Sequence, residues 1–280
     1  MTRIAVTGAT GLVGRAVVAL ALAQGHSVVS IEHAPPAAAA AQRGLSHLHV
    51  EMMDYQAVEH ALRGCDALVH LAAIPSPLRH PDYVVHNNNV VSSYNALSAA
   101  ARLGITRLCM ASSVNATGGV FSRRPRYDYL PLDEAHPTYN EDPYSLSKWI
   151  SEQQSDSFAR RYESLTIASL RFHAVMPNPV IAADGHGELA RRRAGDLWGY
   201  TSLDATARAC LLALTADFRG HEVFYIVAPR TVLATPSLEL KVRFFPEVPL
   251  RGDLSGNRGF YNCAKAEQRL GWTHDPPPDR

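Results

Sequence analysis

The chain has 280 residues, 46% of them hydrophobic and 19% charged, with a formal net charge of +1 at pH 7. That length buries a sizeable core, as one large domain or one domain plus a small lobe. The near-neutral balance gives no electrostatic basis for nucleic-acid or anionic-membrane partners, and no apolar run reaches the roughly 18 residues of a spanning helix.

The N-terminus runs from Met1 straight into Arg3-Ile4-Ala5-Val6, without a signal-peptide pattern. Cys65, Cys109, Cys210 and Cys263 are scattered with no CxxC pair, as expected of reduced thiols in a cytoplasmic protein. The 13 histidines form no HxxxH or HExxH pair, so no metal site is expected.

In chain order, residues 3–7 read as a short apolar strand. Gly8-Ala9-Thr10-Gly11-Leu12-Val13-Gly14 follows, and then an apolar helical run to Ala23. Strand, glycine turn and helix in direct succession predict a dinucleotide site: the first glycines let the backbone approach a pyrophosphate, and the third lets the helix pack on the strand. Residues 25–32 are a second strand ending in Glu32, an acid placed to accept hydrogen bonds from a ribose diol and to repel a 2′-phosphate. This favours NAD over NADP, and the alternative is a solvated strand-end carboxylate.

Pro35 to Ala41 is a low-complexity connection with room for a short helix. His47–Val50 reads as the third strand, and Met53-Asp54 after it sits where a side chain meets the adenine. Tyr55–Leu62 is helical, and Asp66–Leu71 is the fourth strand, running into small residues (Ala72, Ala73) that let a cofactor lie close. A helix is expected from Asn87 to Arg102, ended by Gly104. A fifth strand from Arg107 closes on Ser112-Ser113.

Asn115–Asp142 reads as a long loop, whose Arg123-Arg124-Pro125-Arg126 run is either solvated or a basic rim for an anionic substrate. Pro143 opens a helix to about Tyr162, and Leu165–Phe172 is the sixth strand. The alternation predicts an α/β fold, a Rossmann-type doubly wound parallel sheet. Residues 1–172 would form the NAD-binding domain. Residues 173–280 would form a small substrate lobe interleaved with further sheet elements: a helix at Ser202–Ala216, a strand at Glu222–Ala228, a short helix at Ser237–Val242 and a frayed Pro276–Pro278 end.

The chemistry centres on Tyr144-Ser145-Leu146-Ser147-Lys148. Residues i and i+4 share a helix face, so phenol and ammonium enter one cleft. A fixed cation lowers a phenol's pKa and makes it a usable general base. Only three of the 27 basic residues are lysine (Lys148, Lys241, Lys265), so a lysine at this spacing is informative.

With Thr7–Gly14, Asp54, His70-Leu71-Ala72-Ala73, Asn89–Asn95, Ala111-Ser112-Ser113, Pro131, Glu134, the Tyr144–Lys148 run and Leu170-Arg171-Phe172, the chain resembles the extended short-chain dehydrogenase/reductases of the NAD-dependent epimerase/dehydratase group. The resemblance implies Tyr144 as general acid/base, Lys148 on the nicotinamide ribose, and Ser113 rather than Ser112 on the substrate oxygen. It places Gly8, Thr10, Gly11, Leu12, Val13, Gly14, Glu32, Met53, Asp54, Leu71, Ala72, Ala73 and Asn89 around NAD. It places Ser76, Ser113, Val114, Asn115, His173 and Arg193 around a small-molecule substrate.

Three departures narrow the reading. Val114-Asn115 stands where dehydratases of the group carry an Asp-Glu pair, Ala116-Thr117-Gly118 replaces the usual Val-Tyr-Gly, and the region after Phe172 is short, as in uronate dehydrogenases. In that comparison Arg193 falls at a clamp for a substrate carboxylate, the alternative being a solvated arginine cluster at 191–193.

The expected function is NAD-dependent hydride transfer at a CH–OH carbon of a sugar, sugar acid or related polyol. A sugar or nucleotide-sugar epimerase with transiently reduced NAD is the alternative, and a non-catalytic NAD sensor a remote one. The resemblance also implies a homodimer through the helices after Asn89 and Tyr144, with Ala96, Ala99, Ala100, Trp149, Ile150 and Phe158 outward or in the core.

Overall fold

Parallel strands covered on both faces must be apolar throughout, and the strands here are written that way. In the computed structural model, which describes residues 1–34, 42–182 and 187–275, β1 (Arg3–Thr7) exposes only its first residue. The chain then alternates: α1 (Leu12–Ala23), β2 (Ser27–Glu32), β3 (Leu45–His49), α2 (Tyr55–Leu62), β4 (Ala67–His70), α3 (Asp82–Arg102), β5 (Arg107–Ser113), α4 (Pro143–Arg161) and β6 (Thr166–Phe172). After a two-residue β7 (Val175–Met176) come α5 (Glu188–Arg192), β8 (Thr201–Ser202), α6 (Leu203–Thr215), β9 (Gly220–Ile226), α7 (Ser237–Phe244) and α8 (Ala264–Leu270).

The seven-stranded sheet has the order β3-β2-β1-β4-β5-β6-β9 with every pairing parallel. Order reverses between β1 and β4, and the crevice beyond the strand C-termini at such a switch point is where open α/β sheets bind ligands. One core layer packs Val17 and Ala21 of α1 with Ala209, Cys210 and Leu214 of α6. The opposite layer packs Val58 and Leu62 of α2 with Ala96, Leu97 and Ala100 of α3 and Phe158 of α4. A third cluster, built on Trp198, Tyr225, Phe260 and Leu254, packs the segments after residue 188 against β9 and the stretch from Val114 to Leu132.

Several boundaries differ from the sequence expectation. The third helix starts at Asp82 rather than Asn87: Pro81 caps it and Asp82 complements the first-turn dipole. Asn89 and Asn95 sit mid-helix because their amides bond outside the helix, to Ile74 and to the carbonyls of Met52 and Met53. The 115–142 stretch is tied down. It opens with a 3-10 turn at Val114–Thr117, and bridges Leu130 to Leu250 and Leu132 to Tyr261. Helix α8, unread in the sequence, ends at Gly271 with φ of 66°.

β9 and α6 lie after residue 172 yet complete the central sheet and its covering layer. The faces offered as a dimer surface are mostly core: Ala96, Ala99, Ala100 and Phe158 are buried, and Trp149 and Ile150 half-buried. The Pro35–Ala41 and Pro276–Pro278 readings lie outside the described residues.

Candidate active site

At the end of β1 the glycine turn is dictated by space. Gly8 has φ of +67°, and a Cβ there would come within 2.9 Å of the Ala72 nitrogen. A Cβ on Gly14 would come within 2.1 Å of the Gly8 carbonyl oxygen. The turn and α1 therefore close on each other only without side chains. Gly11 caps α1 without a side-chain hydrogen bond, so the first-turn N–H groups, including those of Leu12 and Val13, form an open anion cradle.

Thr7 joins β1 to β4. Its hydroxyl donates to His70 Nδ1 (2.9 Å) and accepts from the N–H groups of Leu71 (3.1 Å) and Ala72 (3.2 Å). Burial, with Lys148 nearby, drives His70 down to about 3, so it is neutral, with the proton on Nε2.

Glu32 accepts the Thr10 N–H, and Arg15 donates to the Thr10 carbonyl. No arginine neighbours Glu32 in sequence, yet α1 brings one to this turn. Asp54 caps α2 through the N–H groups of Gln56 and Ala57, and Met53 is exposed while its carbonyl holds Asn95. Asn89, which the resemblance puts near the cofactor, takes the Ile74 N–H on its Oδ1, while its Nδ2 donates to the Ile74 carbonyl (3.0 Å) and Ser147 Oγ (3.1 Å). Its amide bonds are spent holding the segment after Ala73 against α4.

Asp142 caps α4 by accepting from Tyr144 and Ser145, and Pro143 occupies its first turn. This start sets Tyr144 and Lys148 one turn apart, both buried. The Ser113 hydroxyl, at the end of β5, lines the same cavity as Tyr144 and accepts the Asn115 N–H at 3.1 Å. Phe121 stands edge-on to the phenol ring at 6.0 Å.

The expected lowering of the phenol pKa by Lys148 is absent here. Burial raises the Tyr144 pKa above its ordinary value, the nearby Ser113 hydroxyl opposes this, and Asp142 adds to it. The reason is geometric: Lys148 Nζ donates to the Ala111 carbonyl at 2.8 Å. Burial lowers the lysine itself to about 8, opposed by Glu152.

Glu152, a further turn along α4, is the centre of a buried network. Its carboxylate takes a bidentate pair of bonds from Arg171 on β6, both 2.8 Å, and the Ser112 hydroxyl at 2.6 Å. The Arg171 guanidinium lies 5.2 Å from the Tyr225 ring centroid. One carboxylate thus binds α4 to the ends of β5 and β6, and Ser112 serves this network rather than the phenol. The sequence signal was present but unread: Glu152 follows Lys148 by the same step that separates Lys148 from Tyr144.

These groups open on a cavity of about 410 Å³, lined among others by Val13, Leu71, Ala73, Ser113, Val114, Asn115, Tyr144, Lys148 and His173. Of the expected substrate residues, Ser76 and Arg193 do not line it. Ser76 accepts the Leu78 N–H, and Arg193 Nε bonds Asp196 Oδ2 at 2.8 Å. Pro75, Val120, Phe121, Phe172, Val175 and Asp196 do line it, and sequence reading missed them. Their placement depends on loops with no motif. Among the described residues, no cluster of three or more His, Cys, Asp or Glu is arranged to hold a metal. No described helix is long and apolar enough to cross a membrane.

The sequence pattern of the NAD dependent epimerase/dehydratase family matches residues 4–192. The chain belongs to this family. A curated relative, L-arabinose 1-dehydrogenase (NAD(P)(+)) of Haloferax volcanii, is 33% identical over 177 residues, covering 61% of the chain and 66% of the relative. The dTDP-6-deoxy-L-talose 4-dehydrogenase (NAD(+)) of Aggregatibacter actinomycetemcomitans is 28% identical, covering 61% of each. The match thus spans less than two thirds of these relatives' own length.

Among solved structures, a uronate dehydrogenase of Agrobacterium tumefaciens complexed with NAD superposes with a TM-score of 0.71 at 21% identity, covering 100% of this chain and 92% of that one. A UDP-glucose 4-epimerase of Thermotoga maritima with UDP-glucose gives 0.71 at 21% identity, covering 98% and 94%. At this identity the likeness is one of fold. This family member has the features that a bound dinucleotide needs: a side-chain-free turn, an uncapped helix N-terminus and an acid at the end of β2.

Proposed function

We propose that the chain is an NAD-dependent oxidoreductase acting on a CH–OH carbon of a sugar or related polyol. The observation that carries this reading is the convergence of Ser113, Tyr144 and Lys148 on one cavity whose wall includes Val13 of the glycine turn. NAD, when bound, supplies the hydride acceptor. Ser113 and Tyr144 hold the substrate oxygen, and Tyr144 takes its proton as the carbon is oxidised. Lys148 is the one cation among the described residues lining the cavity; from α4 it would orient the cofactor ribose, and drawn off the Ala111 carbonyl toward that ribose it would favour the phenolate.

Gly8, Thr10, Gly11, Leu12, Val13 and Gly14 would bound the pyrophosphate. Glu32 would meet the adenosine ribose, Met53 and Asp54 the adenine, and Leu71, Ala72 and Ala73 the backbone of the nucleotide. Val114, Asn115 and His173 would line the substrate. We further propose a substrate lobe beginning after Phe172, a cytoplasmic location and a homodimer. The exposed Tyr83 and Tyr94 of α3 are compatible with a partner. A monomer by light scattering at micromolar concentration would remove the dimer.

The deciding assay is NADH absorbance with a panel of aldoses, uronic acids and polyols. Tyr144→Phe should lower kcat by about 10²–10⁴-fold while leaving NAD affinity intact. An epimerase working through the same residues would release no net NADH and convert one sugar to its epimer.

A further inference from the structure

The charge inventory of the cavity points to its substrate class. Among the described lining residues the charged side chains are Lys148 and Asp196. Lys148 is already committed to the Ala111 carbonyl and stands near Glu152. The arginine that a sugar acid would need is turned away. Arg193 Nε donates to Asp196 Oδ2 at 2.8 Å, and its Nη2 donates to the Gly199 carbonyl. His173 offers no cation either. Its Nδ1 accepts the Ala174 N–H, so Nε2 carries the proton and donates to the Asp196 carbonyl, and burial keeps the ring neutral.

The turn carrying Asp196 is held firmly in an unusual conformation. Leu197 and Trp198 both have φ of 53°, a left-handed pair without glycine. Such backbone persists only where surroundings over-determine it, and it clusters at ligand sites. Asp196 Oδ1 takes the Trp198 N–H at 2.9 Å, and the Trp198 indole donates to the Ala190 carbonyl while packing on Phe244, Phe245 and Phe260. Asn115, also on the cavity, leaves Oδ1 without a donor among the described residues.

We infer that Asp196, held by Arg193, makes this site selective for uncharged hydroxylated substrates, which donate hydroxyl hydrogens to acceptors on this wall, and adverse to sugar acids. A carboxylate finds the Arg193 fork already engaged by Asp196, and the cavity's lysine already committed to the Ala111 carbonyl, so it meets no free cation among the described lining residues. The inference rests on the oxidoreductase reading and narrows its substrate.

The test uses the full chain with NAD and substrate pairs differing at one carbon: D-galactose against D-galacturonate, and D-glucose against D-glucuronate. The wild type should favour the neutral member in kcat/KM by at least about 100-fold, the scale of a buried charged group left without its hydrogen-bond partner. Asp196→Asn should shrink that preference at least about tenfold, chiefly through the uronate KM, whereas Asp196→Glu should retain it. Equal or better turnover of the uronates by the wild type overturns the inference whether or not the variants fold. So does an unchanged preference in a folded, NAD-binding Asp196→Asn. Turnover of no panel member by a chain that binds NAD removes the oxidoreductase reading, and this inference with it.

Discussion

Val13 and Asp196 line the same cavity, but the turns that carry them are built by different means. Around Val13 the shape comes from backbone: glycines where a Cβ has no room, an uncapped helix start, and one threonine hydroxyl joining two strands. Around Asp196 the shape comes largely from side chains: His173 and Tyr261, distant in sequence, and Arg193 and the Trp198 indole close by. The backbone-built wall suits a ligand common to a family. The side-chain wall can change one residue at a time, so selectivity is expected to reside there.

The seam between the walls is Glu152, and the largest effect is expected there. Glu152→Gln leaves Arg171 buried without its counter-charge, a loss of about 3–5 kcal/mol readable by denaturant unfolding. It should also lower the Lys148 pKa, because Glu152 is what holds it up, so the basic side of the rate–pH profile should move to lower pH. A loss under about 1 kcal/mol, as for an exposed pair, would break the idea of a seam.

The next test separates the walls. A Cβ at Gly199 would come within 2.7 Å of the His173 ring. Gly199→Ala should cost about 1–3 kcal/mol as overpacking, raise the substrate KM and leave NAD affinity unchanged. Equal damage to both ligands would erase the distinction.

The smallest effect belongs to the backbone-built wall. His70 has a folded pKa of about 3 against an ordinary 6.5, so between those values the unfolded chain binds more protons and stability falls as pH falls. This single group should remove about 0.7 kcal/mol between pH 7 and pH 6, and about 2 kcal/mol by pH 5. Thermal melts across that range check it, and His70→Asn should flatten the dependence.

The fold was legible because apolar strands, glycine turns and capped helices alternate in register with the sheet. The Gly8–Gly14 turn and the Tyr144–Lys148 spacing are local patterns, and local patterns survive in sequence. Ser113 could be read because it ends a strand. Asn89 could not: whether a buried amide faces a cofactor or a backbone segment depends on what folds over it, here Ile74 and Ser147. Arg193 misled for a related reason, since an arginine's partner is set by the turn beside it. Asp196 carried no signal, because nothing in the sequence marks Leu197 and Trp198 as left-handed.

The bond from Lys148 to the Ala111 carbonyl has a kinetic meaning. The ammonium donates to the backbone, and burial holds the proton of the Tyr144 phenol above the ordinary range. If a nucleotide ribose draws Lys148 off this carbonyl, the phenol gains its cation only then, and addition with the nucleotide first is the expected kinetic order.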